Sequence, residues 1–379
     1  MGQKTTTIIF INQSSGYLMI DIIKAYEGVY DERVLLAGVV NARNHKLPNE
    51  VKHHHIIEYD RSSKNKRILT WFIAFIQIIW IIKTKYNNSF LFIVSNPPLS
   101  LFIPFFCKNP FSLLIYDVYP DAITQLYSKN KSSLLIKLWK GANKNIFNKA
   151  TSIVTISEGM RNLLQQYCDL SKVKVIPIWT DNNFFIKVPK EKNYFLKEQG
   201  LNHRFVVLYS GNLGYSHDVE FIIELAKKIT DKDIFFLIIG SGEKSILIKN
   251  SIVSKRLSNC RILPLQPTHI LPYSFSSADL AIITLSHSAS LLSVPSKTYN
   301  FLSVGSPLLC VSKKDSELAR LVSFYNVGQC FSPFDIDKMY AYILKLKNNP
   351  QYHTLLKNNA FNASLQFTPY NALRFLNNV

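Results

Sequence analysis

The chain has 379 residues, 47% of them hydrophobic, and a formal net charge of +19. That length suits two domains of ordinary size, and the apolar content is enough for real cores. The positive charge is spread over both halves, as suits an anionic membrane, a polyanionic substrate or a nucleic acid. No basic helix-turn-helix, zinc or RNP pattern accompanies it, which argues against nucleic acid. Cys107, Cys168, Cys260, Cys310 and Cys330 fall in no metal or disulfide spacing, which fits a reducing cytoplasm. The chain runs straight into an apolar strand, so no signal peptide is expected.

Thr5 to Ile11 is β-branched and apolar, as a buried strand should be. Asn12 to Gly16 reads as a turn and Tyr17 to Tyr26 as a helix, so a Rossmann-like unit opens the chain. Val34 to Val40 is a second strand. His53-His54-His55 is not read as a metal site, because adjacent histidines rarely ligate one ion. Ile68 to Ile82 is the most apolar run, with lysines or arginines on both flanks and tryptophans near both ends. It is shorter than a spanning helix of about 20 apolar residues. A domain helix whose outer face dips into a membrane surface is expected. Phe90 to Val94 and Leu113 to Tyr116 are strands, and each is followed by a Pro-containing turn. Asp117 and Asp121 follow the second, at the strand end where open α/β sheets bind ligands. Asp117 could accept the proton of an incoming hydroxyl or orient it; Asp121 could equally cap a helix starting near Ala122. A strand at Ser152 to Ile156 and a helix from Gly159 to Gln166 complete this half.

Val188 to Gln199 is polar and charged and reads as an interdomain linker. Strand, glycine turn and helix then recur: Phe205 to Ser210, Gly211-Asn212-Leu213-Gly214, and a helix opened by His217-Asp218. Further strands are Ile234 to Ile239, Arg261 to Leu265 and Asp279 to Thr284. In Ser293 to Pro307, Pro295 favours an extended Val294, Ser296 is a good N-cap, and Gly305 with Pro307 is a helix stop. Free N–H groups at that helix start suit an anion such as a phosphate, and Lys297 stands in the first turn. The Asp231-Lys232-Asp233 and Asp335-Ile336-Asp337 triplets lie away from these turns, so a metal-free site is expected.

V-P-S-K-T-Y-N-F-L-S-V-G-S-P (Val294 to Pro307), Y-S-G-N-L-G-Y-S-H-D (Tyr209 to Asp218), S-N-P-P-L (Ser95 to Leu99) and Y-D-V-Y-P-D (Tyr116 to Asp121) resemble segments of bacterial GT4 glycosyltransferases. The N-acetyl-L-fucosaminyltransferases of O-antigen and capsule synthesis are the group most like it. The resemblance implies an α/β GT-B fold, with two Rossmann-like doubly wound parallel-sheet domains facing a cleft. Residues 1–187 would bind the acceptor, 188–366 the nucleotide sugar, and 367–379 would cross back to the first domain. It implies a retaining transferase that moves an N-acetylated or deoxy hexose, UDP-linked, to a lipid-diphosphate-linked saccharide. The work would be done at the inner face of the cytoplasmic membrane, against its anionic surface, without a cofactor. Asp117, Asp121 and Lys297 would be catalytic. Donor contacts would come from Gly16, from Gly211, Asn212, Gly214 and His217, from Ser241, Gly242 and Leu265, and from Val294, Pro295, Ser296, Tyr299 and Asn300. The chain departs from the family at several places, among them Ser15-Gly16 in place of a glycine pair and Ile178 in place of an Asn. Asn212 and His217 replace an Arg and a Lys that neutralise the diphosphate, and Leu292 and Asn300 replace two glutamates. A non-catalytic sugar-nucleotide-binding or partner subunit, or a UDP-sugar epimerase on the same fold, therefore remains an alternative.

Overall fold

The structure is a computed structural model and describes residues 6–41, 45–60, 62–122, 134–214, 218–285 and 294–378. It divides into two compact units: Met1–Ile178 with Pro369–Val379, and Trp179–Thr368.

The first unit contains β1 (Thr7–Ile11), β2 (Ser14–Gly16), α1 (Tyr17–Ala25), β3 (Glu32–Ala37), β4 (Val39–Asn41), β5 (Lys52–His55) and α2 (Lys64–Lys85). It continues with β6 (Phe90–Val94), a 3-10 segment Pro98–Phe105, β7 (Phe111–Ile115), α3 (Leu134–Lys149), β8 (Ser152–Thr155), α4 (Glu158–Leu164) and β9 (Val173–Val175). Seven strands form one sheet in the order β5-β3-β1-β6-β7-β8-β9, every pairing parallel. β6 and β7 are buried along their whole length, which is why they read as unbroken apolar runs. The chain winds outward from β1 in one direction and then resumes at β6 on its other side. That reversal is the topological switch point at which such sheets take ligands, beyond the strand C-termini. The 3-10 segment Pro369–Asn378 belongs to this unit: Tyr26 Oη donates to Phe375 O at 3.1 Å, and the Phe92 and Phe375 rings lie 6.0 Å apart.

The second unit contains α5 (Tyr194–Gln199), β10 (Phe205–Asn212), α6 (Phe221–Lys228), β11 (Ile234–Ser241), α7 (Ser245–Ser254), β12 (Cys260–Leu263) and α8 (Leu271–Ser276). Then come β13 (Leu280–Thr284), α9 (Ser296–Ser303), β14 (Leu308–Val311), α10 (Glu317–Tyr325), β15 (Gly328–Phe331), α11 (Ile336–Asn348) and α12 (Pro350–Ser364). Its six parallel strands run β12-β11-β10-β13-β14-β15, so here the reversal falls between β10 and β13.

Two readings change. The stretch 188–199 is not a linker but a folded part of the second unit. Phe195 and Leu196 are buried, and Asn193 caps α5 while donating to Tyr273 O at 2.8 Å. Its polar composition hid this because its charges are themselves engaged, Lys190 with Asp279. The apolar run is longer than its sequence suggested. α2 has 22 residues, long and apolar enough to cross a membrane, because basic residues at both ends extend the helix without adding to the apolar stretch.

Candidate functional site

In the second unit, three glycines let the ends of two strands and one lysine come together. Gly211 pairs with Gly240 and Asn212 with Ser241 across β10 and β11. A Cβ on Gly240 would stand 2.1 Å from Gly211 O, so only glycine allows this approach. Gly242 has φ +148°, and a Cβ there would meet Leu213 C at 2.5 Å. Leu213 N donates to Ser241 O and Lys244 N to Leu213 O, both at 2.9 Å, which locks the two turns together. Tyr209 Oη donates to Asn212 O at 2.7 Å and braces the first turn from below. Gly211 serves the remaining partner: a Cβ there would lie 2.7 Å from Lys297 Nζ. The missing side chain is the space the ammonium occupies.

Lys297 stands in the first turn of α9. Burial pushes its ammonium down to about 8, and among the described residues no carboxylate pairs with it. A desolvated cation without a counter-charge is a receptor for an anion. Ser296 is not the N-cap that its residue type suggested. Pro295 holds that position and makes no side-chain cap, and Ser296 is the first helical residue. The preceding proline shifts the helix start by one residue, and the first N–H groups of α9 are left uncapped beside Lys297.

Gly211, Asn212, Gly214, Ser241, Gly242 and Lys297 are thus brought to one edge of the sheet. Val294, Pro295 and Ser296 lead into the same helix start, and Leu265, 58% exposed, follows β12 at that edge. Tyr299 and Asn300 face inward instead. Tyr299 packs on Phe367 with ring centroids 4.7 Å apart, and Asn300 Oδ1 accepts from Thr180 Oγ1 at 2.6 Å. Both are at most 4% exposed. His217 and Leu292 lie outside the described residues.

In the first unit, Gly16 is the N-cap of α1 with no side-chain cap, and its backbone is extended. A Cβ there would meet only Asn41 O, at 3.8 Å, so the fold itself does not require a glycine. Asp117 and Asp121 sit four residues apart in opposite conditions. Ser95 Oγ, fully buried, accepts from Tyr116 N and Asp117 N at 2.9 and 3.3 Å and shapes the turn. Burial pushes the Asp117 carboxyl up to about 6. The Asp121 carboxylate accepts from Tyr167 Oη, from Lys140 Nζ at 2.7 Å and from Gln166 Nε2 at 3.5 Å. Asp121 is therefore a structural ion pair that ties the turn to α3.

Sequence reading missed a second acidic partner at α1. His45 Nδ1 lies 3.0 Å from Asp21 Oδ1, both nearly buried, and the His45 ring packs on Tyr17 at 5.7 Å. No local motif joins residues 24 apart, so no signal could have paired them. The histidine triplet lies on the edge strand β5. His53 Nε2 stands 3.1 Å from Ala37 O, and His54 Nε2 2.8 Å from Tyr86 Oη. The two acidic triplets are committed as well. Asp231 and Asp233 both bind Lys347, at 2.5 and 3.1 Å, Asp335 binds Lys338 at 2.8 Å, and Asp337 binds Lys228.

Comparison with known proteins agrees with this architecture. Residues 192–363 match the family model for glycosyl transferases group 1. A Pseudomonas aeruginosa protein named as a probable glycosyltransferase, WbjE, is 24% identical over 224 residues, covering 59% of this chain and 56% of its own. An Escherichia coli (strain K12) protein named as a putative colanic acid biosynthesis glycosyl transferase, WcaI, is 25% identical over 251 residues, covering 65% of this chain and 62% of its own. The chain thus spans less than two-thirds of the curated relatives it matches. Among solved structures, Anabaena HepE in complex with UDP and glucose superposes with TM-score 0.71 and 15% identity over 98% of both chains. WaaG, a glycosyltransferase involved in lipopolysaccharide biosynthesis, does so with TM-score 0.66 and 12% identity over 97% of this chain and 99% of its own. These likenesses show the fold: two parallel α/β units of GT-B type.

Proposed function

We propose that this chain, which has the GT-B fold, is a group 1 glycosyltransferase that moves a sugar from a UDP-linked donor to a lipid-linked saccharide during surface-polysaccharide synthesis. The observation that carries the reading is Lys297, a desolvated ammonium seated over Gly211 beside an uncapped helix start. The donor's diphosphate is the anion that this arrangement fits. The printed names of WcaI and WaaG support the polysaccharide setting, and the UDP in HepE supports the nucleotide.

In this mechanism the bond from the anomeric carbon to the diphosphate oxygen breaks as the acceptor hydroxyl oxygen bonds to the same face, so configuration is retained. The hydroxyl proton leaves with the departing diphosphate. Lys297 and the N–H groups of α9 hold the negative charge that develops, the main catalytic contribution. Asp117 orients the acceptor hydroxyl. His217 adds a second cation at the diphosphate when protonated. The sugar is an N-acetylated or deoxy hexose, the acceptor a lipid diphosphate at the inner face of the cytoplasmic membrane. No cofactor is required. Transfer should persist in excess EDTA; loss restored by Mg²⁺ or Mn²⁺ would overturn the metal-free mechanism.

A thermal-shift panel of UDP-, GDP- and dTDP-sugars tests the donor assignment, since a ligand that binds only the folded state raises its stability. A shift with UDP-sugars alone supports it, and no shift with any of the three overturns it. Binding without transfer to any acceptor would instead favour a non-catalytic subunit.

A further inference from the structure

α2 has two apolar faces, and only one is covered. Thr70, Ala74, Ile78, Ile81 and Ile82 are buried. Polar pins hold that side in place: Gln13 Nε2 donates to Thr70 O at 3.1 Å, and Gln77 Oε1 accepts from Ile57 N at 2.8 Å. The opposite stripe, Ile68, Leu69, Phe72, Ile76 and Trp80, is 51–61% exposed. Spacings of three and four residues put these side chains on one side of the helix.

The stripe does not end with α2. Phe106, just past the 3-10 segment, packs edge-on against Phe75 of α2 at 5.6 Å. From the same segment Phe102 packs on Trp139 of α3 at 6.0 Å. Leu135, one turn before Trp139, is 77% exposed, and its neighbours Leu134 and Leu138 are 71% and 61% exposed. Three elements are thus joined by aromatic contacts into one apolar face, with an open groove of about 360 Å³ lined wholly by Phe and Leu. Their charge is one-sided. α2, residues 98–108 and α3 together carry ten Lys and Arg and no Asp or Glu. Among the described residues only Lys66 and Lys140 meet a carboxylate, Asp60 and Asp121.

We infer that this face docks the protein on an anionic lipid leaflet, with α2 lying in the plane of the surface rather than crossing it. An apolar plateau among unopposed cations matches acyl chains beneath anionic headgroups. Crossing would require α2 to leave the sheet and break its polar pins. The inference deepens the lipid-linked-acceptor reading by giving its membrane a place on the molecule. Its readout is vesicle binding, whereas UDP binding reads the donor site, so either can fail alone.

The test is flotation of the full chain with phosphatidylcholine vesicles, with and without phosphatidylglycerol. Binding should require the anionic lipid and weaken in high salt. Phe106→Ser with Leu135→Ser should lower it about tenfold, with UDP thermal shift unchanged. A second variant, Ile76→Ser with Trp80→Ser, should do the same through α2 alone. No flotation of wild type, or equal flotation of wild type and both variants, would overturn docking. Resistance to high salt and carbonate would show a crossing helix and overturn the in-plane geometry. A dimer that both variants abolish, without vesicle binding, would make a second copy the occupant and overturn the lipid.

Discussion

Lys297 at the strand-end edge of the second unit and Asp121 at that of the first carry their charge in opposite ways. Lys297 is half-buried with no carboxylate partner among the described residues, and desolvation holds its ammonium down to about 8. Asp121 is buried, but Tyr167, Lys140 and Gln166 satisfy its carboxylate. Asp117, four residues earlier, resembles Lys297: burial alone pushes it up to about 6. Desolvation alone therefore does not distinguish these side chains. What separates them is whether the fold supplies the counter-group or leaves it to a ligand.

The largest expected effect comes from Lys297→Met. Transfer should fall by about 10²–10³, the loss of one charge-assisted contact to the leaving group. The unliganded protein should become more stable at neutral pH, because a desolvated cation without a counter-charge is removed. Turnover by product assay and denaturant unfolding check the two halves. Lower stability would make Lys297 scaffold. Asp121→Asn should do the reverse and cost about 1–2 kcal/mol of stability by weakening the contacts its carboxylate makes with Lys140 and Tyr167. Asp117→Asn should leave stability at neutral pH equal or higher and lower kcat about tenfold.

The pH dependence sharpens the same contrast. Transfer should rise as pH passes about 6, where Asp117 ionises, and fall above about 8, where Lys297 loses its proton in the free enzyme. Asp117 titrates higher folded than unfolded. Between its ordinary range and about 6 the native state binds more protons, so its contribution to stability falls as pH rises. Asp117→Asn should remove the acidic limb of the kcat/KM profile, and an unchanged limb would take Asp117 out of the reaction. Smaller effects come from the glycines. Gly242→Ala should destabilise by about 2 kcal/mol, since φ is +148° and Leu213 blocks the Cβ. Gly16→Ala should change stability by less than about 0.5 kcal/mol, since nothing crowds that position. Denaturant midpoints decide both.

The fold was legible because it is written locally. Phe90 to Val94 is a buried strand in the structure at the same residues as in the sequence reading, and Asp279 to Thr284 is one from Leu280 onward. The glycine turns, Lys297 and the uncovered stripe of α2 were also visible as patterns. What the sequence hid depends on partners far along the chain. Asp121 reads as a site residue until Tyr167, 46 positions later, is seen against it. Asn300 reads as a donor contact until Thr180, 120 positions away, takes its oxygen. Leu134, Leu135 and Phe106 look like ordinary core residues, and only the packing of three elements shows that they are left outside.

The return of Pro369–Asn378 to the first unit has a consequence for synthesis. Tyr26 and Phe92 are made before the second unit begins, yet Phe375, whose carbonyl accepts from Tyr26 and whose ring packs on Phe92, is made only after that unit is complete. The second unit, Trp179–Thr368, is contiguous and has all its residues before the first unit has its own. The usual order, in which the N-terminal domain completes itself first during translation, is inverted here. A nascent chain stopped at Thr368 should resist protease in its second unit while the face of α1 around Tyr26 remains open to cleavage.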